Sequence, residues 1–158
     1  MQEKANLGIL PSNQREVAEA LNKLLADASI LYTKTRKFHW NVKGINFGPL
    51  HSLFQSQYED LESAVDDLAE RVRQLGATPI GTLQEFKDKS SLKENPGKTG
   101  SAEEMLSELL SDHESVIGAL RVAVESATNK RDHGTANFLT DLMQKHEKTA
   151  WILRSHLL

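Results

Sequence analysis

The sequence contains no cysteine. Disulfides, thiolate zinc sites and cysteine nucleophiles are therefore excluded, and the composition fits a reducing compartment. Proline and glycine are scarce, at 4 and 9 residues in 158, and they punctuate the chain at only a few places. There is no strand-like alternation of useful length and no internal repeat. No run of 18 apolar residues exists, so no segment is long enough to span a bilayer. The start, MQEKANLGILPSNQ, lacks a charged region followed by a long apolar core, so no signal peptide is expected and the default address is the cytoplasm. Neither sign of charge dominates: 19 basic and 22 acidic residues give −3. Such a surface is not obviously attractive to nucleic acid or to an acidic membrane.

What is present is helical patterning. With 39% hydrophobic and 26% charged residues, the composition is that of a soluble globular protein, and 158 residues suit one domain. Residues 1–12 read as a short N-terminal extension, punctuated by Pro11, and 13–158 as the folded domain. Asn13 and Glu16 form an N-x-x-E capping pattern that opens a first helix, running to about Asn41. Val17, Leu21, Leu24, Leu25, Ala28 and Leu31 recur on it at helical spacing. The stretch from Gly44 to Pro49 breaks the pattern. Pro49 suits a first helical position, and a second helix runs from there to about Leu75, with Gly76 as its C-terminal stop. Residues 77–100 form a long connection in which Leu83 to Lys87, capped by Thr82, reads as a short helix. Ser101 and Glu104 form a second capping box and start a third long helix, to about Thr128. Asp132 caps a fourth, which reaches nearly to the C-terminus.

Four long helices with short, long and short connections describe an all-α, four-helix bundle of ferritin-like connectivity, with a short extra helix in the long crossover. The simplest alternative is a plain scaffold without chemistry.

One stretch, Lys37 to Gly76, gathers metal-ligand residue types. His39 and His51 flank the Gly/Pro turn, and Asp66 and Glu70 share one face of the second helix at i, i+4 spacing. His51 and Asp66 lie on the same helix, 15 residues apart in the sequence. At 1.5 Å per residue that is roughly 22 Å, too far for one metal ion. One chain therefore offers two half-sites, and a two-fold pairing of second helices would join them. No glutamate stands three residues before any of the six histidines. The Glu-x-x-His pattern of an intra-bundle di-iron centre is thus missing.

These residues resemble the Dps family of starvation-induced, DNA-protecting mini-ferritins. The resemblance rests on His39-Trp40-Asn41, Gly44, Asn46-Phe47, Leu50-His51 and Asp66-x-x-Ala69-Glu70-Arg71. It extends to Thr135-Ala136 and His146-Glu147-Lys148-Thr149-Ala150-Trp151, and covers about Asn13 to Leu158. It implies a hollow homo-dodecamer with iron sites at its two-fold interfaces, His39 and His51 coming from one subunit and Asp66 and Glu70 from its neighbour. Fe(II) would be oxidised there, preferentially by hydrogen peroxide, and Fe(III) stored as mineral. Imidazole and carboxylate both suit Fe(II).

The sequence departs from the family at Gln55, where a carboxylate usually follows the second histidine by four residues. A neutral amide cannot bridge two metals, so weaker or single-metal occupancy is expected, with Glu59 as a candidate to compensate. Trp40 follows a ligand directly; interface packing and a role in taking up oxidising equivalents are equally compatible with that position. His113, His133, His146 and His156 read as surface or core residues. Asp132 and Asp141 are candidates to line a three-fold pore, and Asn137 stands where many members carry aspartate. DNA binding is not expected, because Glu3 and Lys4 cancel near the N-terminus and the C-terminus carries no basic tail. The alternatives are a nucleoid-compacting, DNA-binding shell with a weakened metal site and a ligand-free bundle.

Overall fold

A computed structural model of the chain describes residues 5–158. It contains α1 (Pro11–Asn41), α2 (Phe47–Gln74), α3 (Leu83–Lys89), α4 (Ala102–Asn129) and α5 (His133–Ser155), with no strand among the described residues. Glu3 and Lys4, which carry the charge argument about DNA, lie outside the described residues. No helix is long and apolar enough to cross a membrane among those described.

The helix ends follow local chemistry, with two corrections. α1 starts at Pro11, whose missing N–H is one of the orphan donors of a first turn. Its N-cap, Leu10, makes no side-chain cap. The expected Asn13 cap does not form. Asn13 Nδ2 instead donates to the Lys130 carbonyl at 3.3 Å, and Glu16 pairs with Lys130 Nζ at 3.1 Å. Both residues thus tie the start of α1 to the end of α4. α2 starts at Phe47, ahead of Pro49, which still falls in the first turn where no N–H is needed. It closes at Gly76 (φ +78°), where Ala77 N–H donates to the Val72 carbonyl and Gly76 N–H to that of Arg73. That reciprocal pair is a Schellman stop. The capping box at Ser101/Glu104 forms as expected, and the expected Thr82 cap forms as part of a full box with Glu85.

α1 packs along α2 and α4 along α5, and α1 also meets α4 and α3. Leu21, Leu25, Leu31, Phe54, Leu68, Leu109, Leu120, Leu139 and Leu153 meet in a fully buried centre. The crossover is held by buried polar groups of α1. Asp27 accepts from Ser90 Oγ at 2.8 Å and from Ser91 N–H at 2.7 Å. Asn22 accepts from Ile80 N–H at 3.0 Å and donates to the Thr78 carbonyl at 3.4 Å. Further along α1, Lys34 is buried against two α4 carboxylates, Glu108 at 2.8 Å and Asp112 at 2.6 Å.

Candidate metal centre

The short α1–α2 turn brings His51 back beside His39. α1 stops where Val42 N–H donates to the Phe38 carbonyl, and Gly44 (φ +109°) turns the chain so that Phe47 N–H donates to its carbonyl. His39 sits in the last turn of α1 and His51 in the second turn of α2. Each ring is bonded to the other residue's backbone: His39 Nδ1–H to the His51 carbonyl at 2.8 Å, and His51 Nδ1–H to the His39 carbonyl at 2.9 Å. A carbonyl only accepts, so both Nδ1 atoms carry the proton in the neutral rings. Both Nε2 atoms are then left with lone pairs. The rings stack, with centroids 3.7 Å apart and planes 22° apart. The His39 carbonyl belongs to the orphan set at a helix end, so the clasp also satisfies a group that α1 leaves free. Orientation of an imidazole ligand through its other nitrogen is how metal sites fix the tautomer.

Tyr58, two turns beyond His51 on α2, meets His39 edge-on at 5.3 Å. The Arg36 guanidinium lies 5.1 Å from the Trp40 ring centre, 5.2 Å from that of Tyr32 and 5.8 Å from that of Tyr58. Trp40 therefore packs on Arg36 and is largely exposed. Sequence reasoning missed Tyr58, Tyr32 and Arg36. The available signal was spacing, since Tyr58 follows His51 by seven residues and Arg36 precedes His39 by three.

Gln55, one turn after His51, is exposed and donates from Nε2 to Glu59 Oε1 at 2.9 Å. Asp66 and Glu70 are also exposed, farther along α2, which is continuous from Phe47 to Gln74. The helix therefore keeps His51 and Asp66 roughly 22 Å apart. Among the described residues no group of three His, Cys, Asp or Glu gathers at one point. The structure brings His39 and His51 together, and places Asp66 with Glu70, but does not join the two pairs within a chain.

The neighbouring Arg71 is structural. Its Nε donates to Thr135 Oγ1 at 2.9 Å and one terminal nitrogen to Asp132 at 3.0 Å. Asp132 also accepts from Thr135 N–H as the α5 cap and is buried. It is not free to line a pore, which corrects the expectation for that residue; Asp141 and Asn137 are exposed. His133 and His156 are exposed, whereas His113 and His146 are buried together in the bundle.

Residues 18–158 match the ferritin-like domain family. The chain is 38% identical over 144 residues to the DNA protection during starvation protein 2 of Bacillus anthracis, covering 90% of this chain and 97% of that one. The chain belongs to the Dps family. A low-temperature-induced protein of Nostoc sp. is 43% identical over 155 residues, covering 98% of this chain and 87% of its own length. The Dps protein of Bacillus brevis superposes with a TM-score of 0.90 at 39% identity, covering 93% and 98% of the two chains. That of Vibrio cholerae, described as one of the ferritin-like diiron-carboxylate proteins, does so with a TM-score of 0.93 at 29% identity over the full length of both. This Dps chain thus has the family's fold, and iron binding and storage are its family's general chemistry. The motif Ala69-Glu70-Arg71 and the pair Thr135-Ala136 gain a physical meaning here, as the two ends of the Arg71–Thr135 tie.

Proposed function

We propose that the protein is a ferroxidase and iron store whose site is completed only between subunits. His39 and His51 of one subunit would face Asp66 and Glu70 of a second across a two-fold axis, and twelve such chains would form a hollow shell. The observation that carries this reading is the reciprocal histidine clasp, which turns two lone pairs away from the backbone with no third ligand gathered beside them among the described residues. The surroundings support an interface. Trp40, Ile45 and Phe47, on and beside the turn, are 64%, 101% and 47% exposed in the single chain. Large apolar side chains clustered this way mark a surface that another molecule covers.

Fe(II) is the substrate. Neutral imidazole nitrogens and ionised carboxylates bind it and leave positions open for oxidant. Hydrogen peroxide is the preferred oxidant in this reading. It takes one electron from each of two Fe(II) ions and its O–O bond breaks to the level of water, so no hydroxyl radical is released. Fe(III) then hydrolyses and is stored in the cavity, releasing protons. Gln55 supplies a neutral oxygen where a carboxylate would bridge, and its amide N–H is held by Glu59, so the second metal position is the weaker one. Trp40, next to His39 in the chain, and Tyr58, edge-on to its ring, would take up oxidising equivalents that escape the site. DNA is protected by removing iron and peroxide together, rather than by binding, in keeping with the net charge of −3.

Complementation tests the shared site. H39A/H51A and D66A/E70A chains should each be inactive in anaerobic Fe(II) oxidation by stoichiometric peroxide. Shells assembled from an equal mixture should regain about a quarter of wild-type activity, because in an isologous pair one of the two sites in each mixed dimer is intact. Absence of any recovery in well-formed mixed shells would show that the ligands do not meet across the axis. Retarded DNA at low salt without iron oxidation would favour the DNA-compacting shell instead.

A further inference from the structure

Three polar side chains from three helices converge inside the bundle, away from the interfacial half-sites. They are Gln57 of α2, His113 of α4 and His146 of α5, at 6%, 2% and 4% exposure. The two imidazoles meet Nδ1 to Nδ1 at 2.9 Å, so one nitrogen donates and the other accepts. His113 Nε2 and both the Nε2 and Oε1 atoms of Gln57 are buried with no hydrogen-bond partner among the described residues. All three residues line one cavity of about 270 Å³ between α2, α4 and α5. Leu61 and Leu142 supply apolar wall, and Asp60, Lys145 and Lys148 also line it, each on an exposed residue.

Each buried polar group left without a partner costs about 1–3 kcal/mol, so an empty cavity is a poor account of this arrangement. An apolar guest would leave the same atoms unsatisfied. Burial pushes the His113 pKa down to about 3 and that of His146 to about 4, so both rings are neutral at physiological pH. A buried anion would find no fixed positive charge at the inner end. Neutral imidazole and amide oxygen are, however, donors to a metal ion, and the cavity leaves room for water to complete the coordination. The set is rich in nitrogen, and Asp60 is the single carboxylate among the described residues of the lining. That selects late divalent ions, for which imidazole is a favoured ligand, over Fe(III).

We propose that the cavity is a second metal site, in which His113, His146 and Gln57 hold one late divalent ion of the Zn(II) or Co(II) class. The ion replaces the imidazole–imidazole hydrogen bond at the Nδ1 atoms, and water in the cavity takes up the Gln57 amide N–H and the His113 Nε2–H. Occupancy would lock α2, α4 and α5 together and would not depend on the interfacial ligands.

Co(II) is the probe, used with full-length D66A/E70A protein so that the interfacial site is incomplete. Equilibrium dialysis should show about one Co(II) per chain with visible d–d absorption. H113L/H146L in the same background should lose that absorption and bind at least about tenfold more weakly. Q57L, a near-isosteric change that keeps both imidazoles, should weaken binding less and shift the spectrum. Should H113L/H146L fail to fold, judged by helix content and size, Q57L alone decides. Identical Co(II) binding and spectra in parent and variants, or no bound Co(II) in the parent, would overturn the proposal and leave the cavity to solvent. Because the background already lacks Asp66 and Glu70, this outcome is independent of whether the shared iron site exists.

Discussion

Replacing Lys34 by methionine isolates the buried ion cluster that joins α1 to α4. Methionine keeps the apolar stem and removes the ammonium. The Lys34 and Asp112 side chains are only 7% and 13% exposed, and Glu108 is 27% exposed, so water screens little of their interaction. Losing the cation leaves two carboxylates facing each other, and removing one partner of a buried pair costs about 3–5 kcal/mol. K34M should therefore be destabilised by that amount at neutral pH. The double change K34M/D112L should recover a large part of the loss, because it removes the buried charge as well.

The pH dependence gives the argument a second handle. Burial raises the Asp112 pKa above the usual carboxylate value, while its hydrogen bond and charge attraction to Lys34 pull it back down. Glu108 and Asp27 push it up further. A carboxyl whose folded pKa is raised binds its proton more tightly in the folded state. Its unfavourable contribution is full at neutral pH and fades as the pH falls into its titration range. Without Lys34 only the raising influences remain, so the K34M deficit should shrink between pH 7.5 and 5. Equilibrium urea unfolding at a single protein concentration measures both quantities, since assembly makes apparent stability concentration-dependent. A K34M deficit below about 1 kcal/mol would refute the assignment of a buried, weakly screened pair, and a deficit that grows on acidification would refute the account of Asp112.

Gly76→Ala forces an L residue into the left-handed stop of α2 and should cost roughly 1–2 kcal/mol in urea unfolding, without changing iron oxidation. Asp27→Ala strands the donors of Ser90 and Ser91 and should cost about 2–3 kcal/mol; limited proteolysis should then cut within residues 77–100 while the four long helices stay intact. Gln55→Glu restores a carboxylate one turn from His51, and titration of Fe(II) into anaerobic protein should show tighter binding at the second metal position, with faster oxidation by peroxide. Unchanged stoichiometry and rate would mean that Gln55 does not face the metal.

The parts of the fold legible in the sequence are those decided within a few residues. The Thr82 cap and the Ser101/Glu104 box were legible because cap and partner lie on one turn. Gly76 was legible for the same reason. Asn13 misled because its amide found Lys130, 117 residues away, while Pro11 had already set the helix start. Asp132 was read correctly as a cap, but its second partner, Arg71, comes from another helix and buries it. The pairing of His39 with His51 and the shared helix face of Asp66 and Glu70 were legible because a short turn and i, i+4 spacing are local. The His113–His146 contact was not, since 33 residues and a helix reversal separate the two. Tyr58 and Arg36 joined the site through helical phase alone, a signal any surface residue shares.

The histidine clasp itself makes one consequence testable ring by ring. His39 is oriented by the backbone carbonyl of residue 51, which survives when the His51 side chain is removed. His51→Ala therefore deletes one candidate ligand and the stacked ring but leaves His39 with its Nδ1 proton fixed and its Nε2 lone pair free. The vacated space has the dimensions of an imidazole, because the lost ring lay 3.7 Å from its neighbour. H51A should retain a fraction of the Fe(II) oxidation rate, and added imidazole should raise it in a saturable way. H39A/H51A, which has no oriented ring left, should not respond. Rescue of both variants, or of neither, would mean that the two rings do not act as separately held ligands, and the clasp would then be a packing feature of the α1–α2 turn.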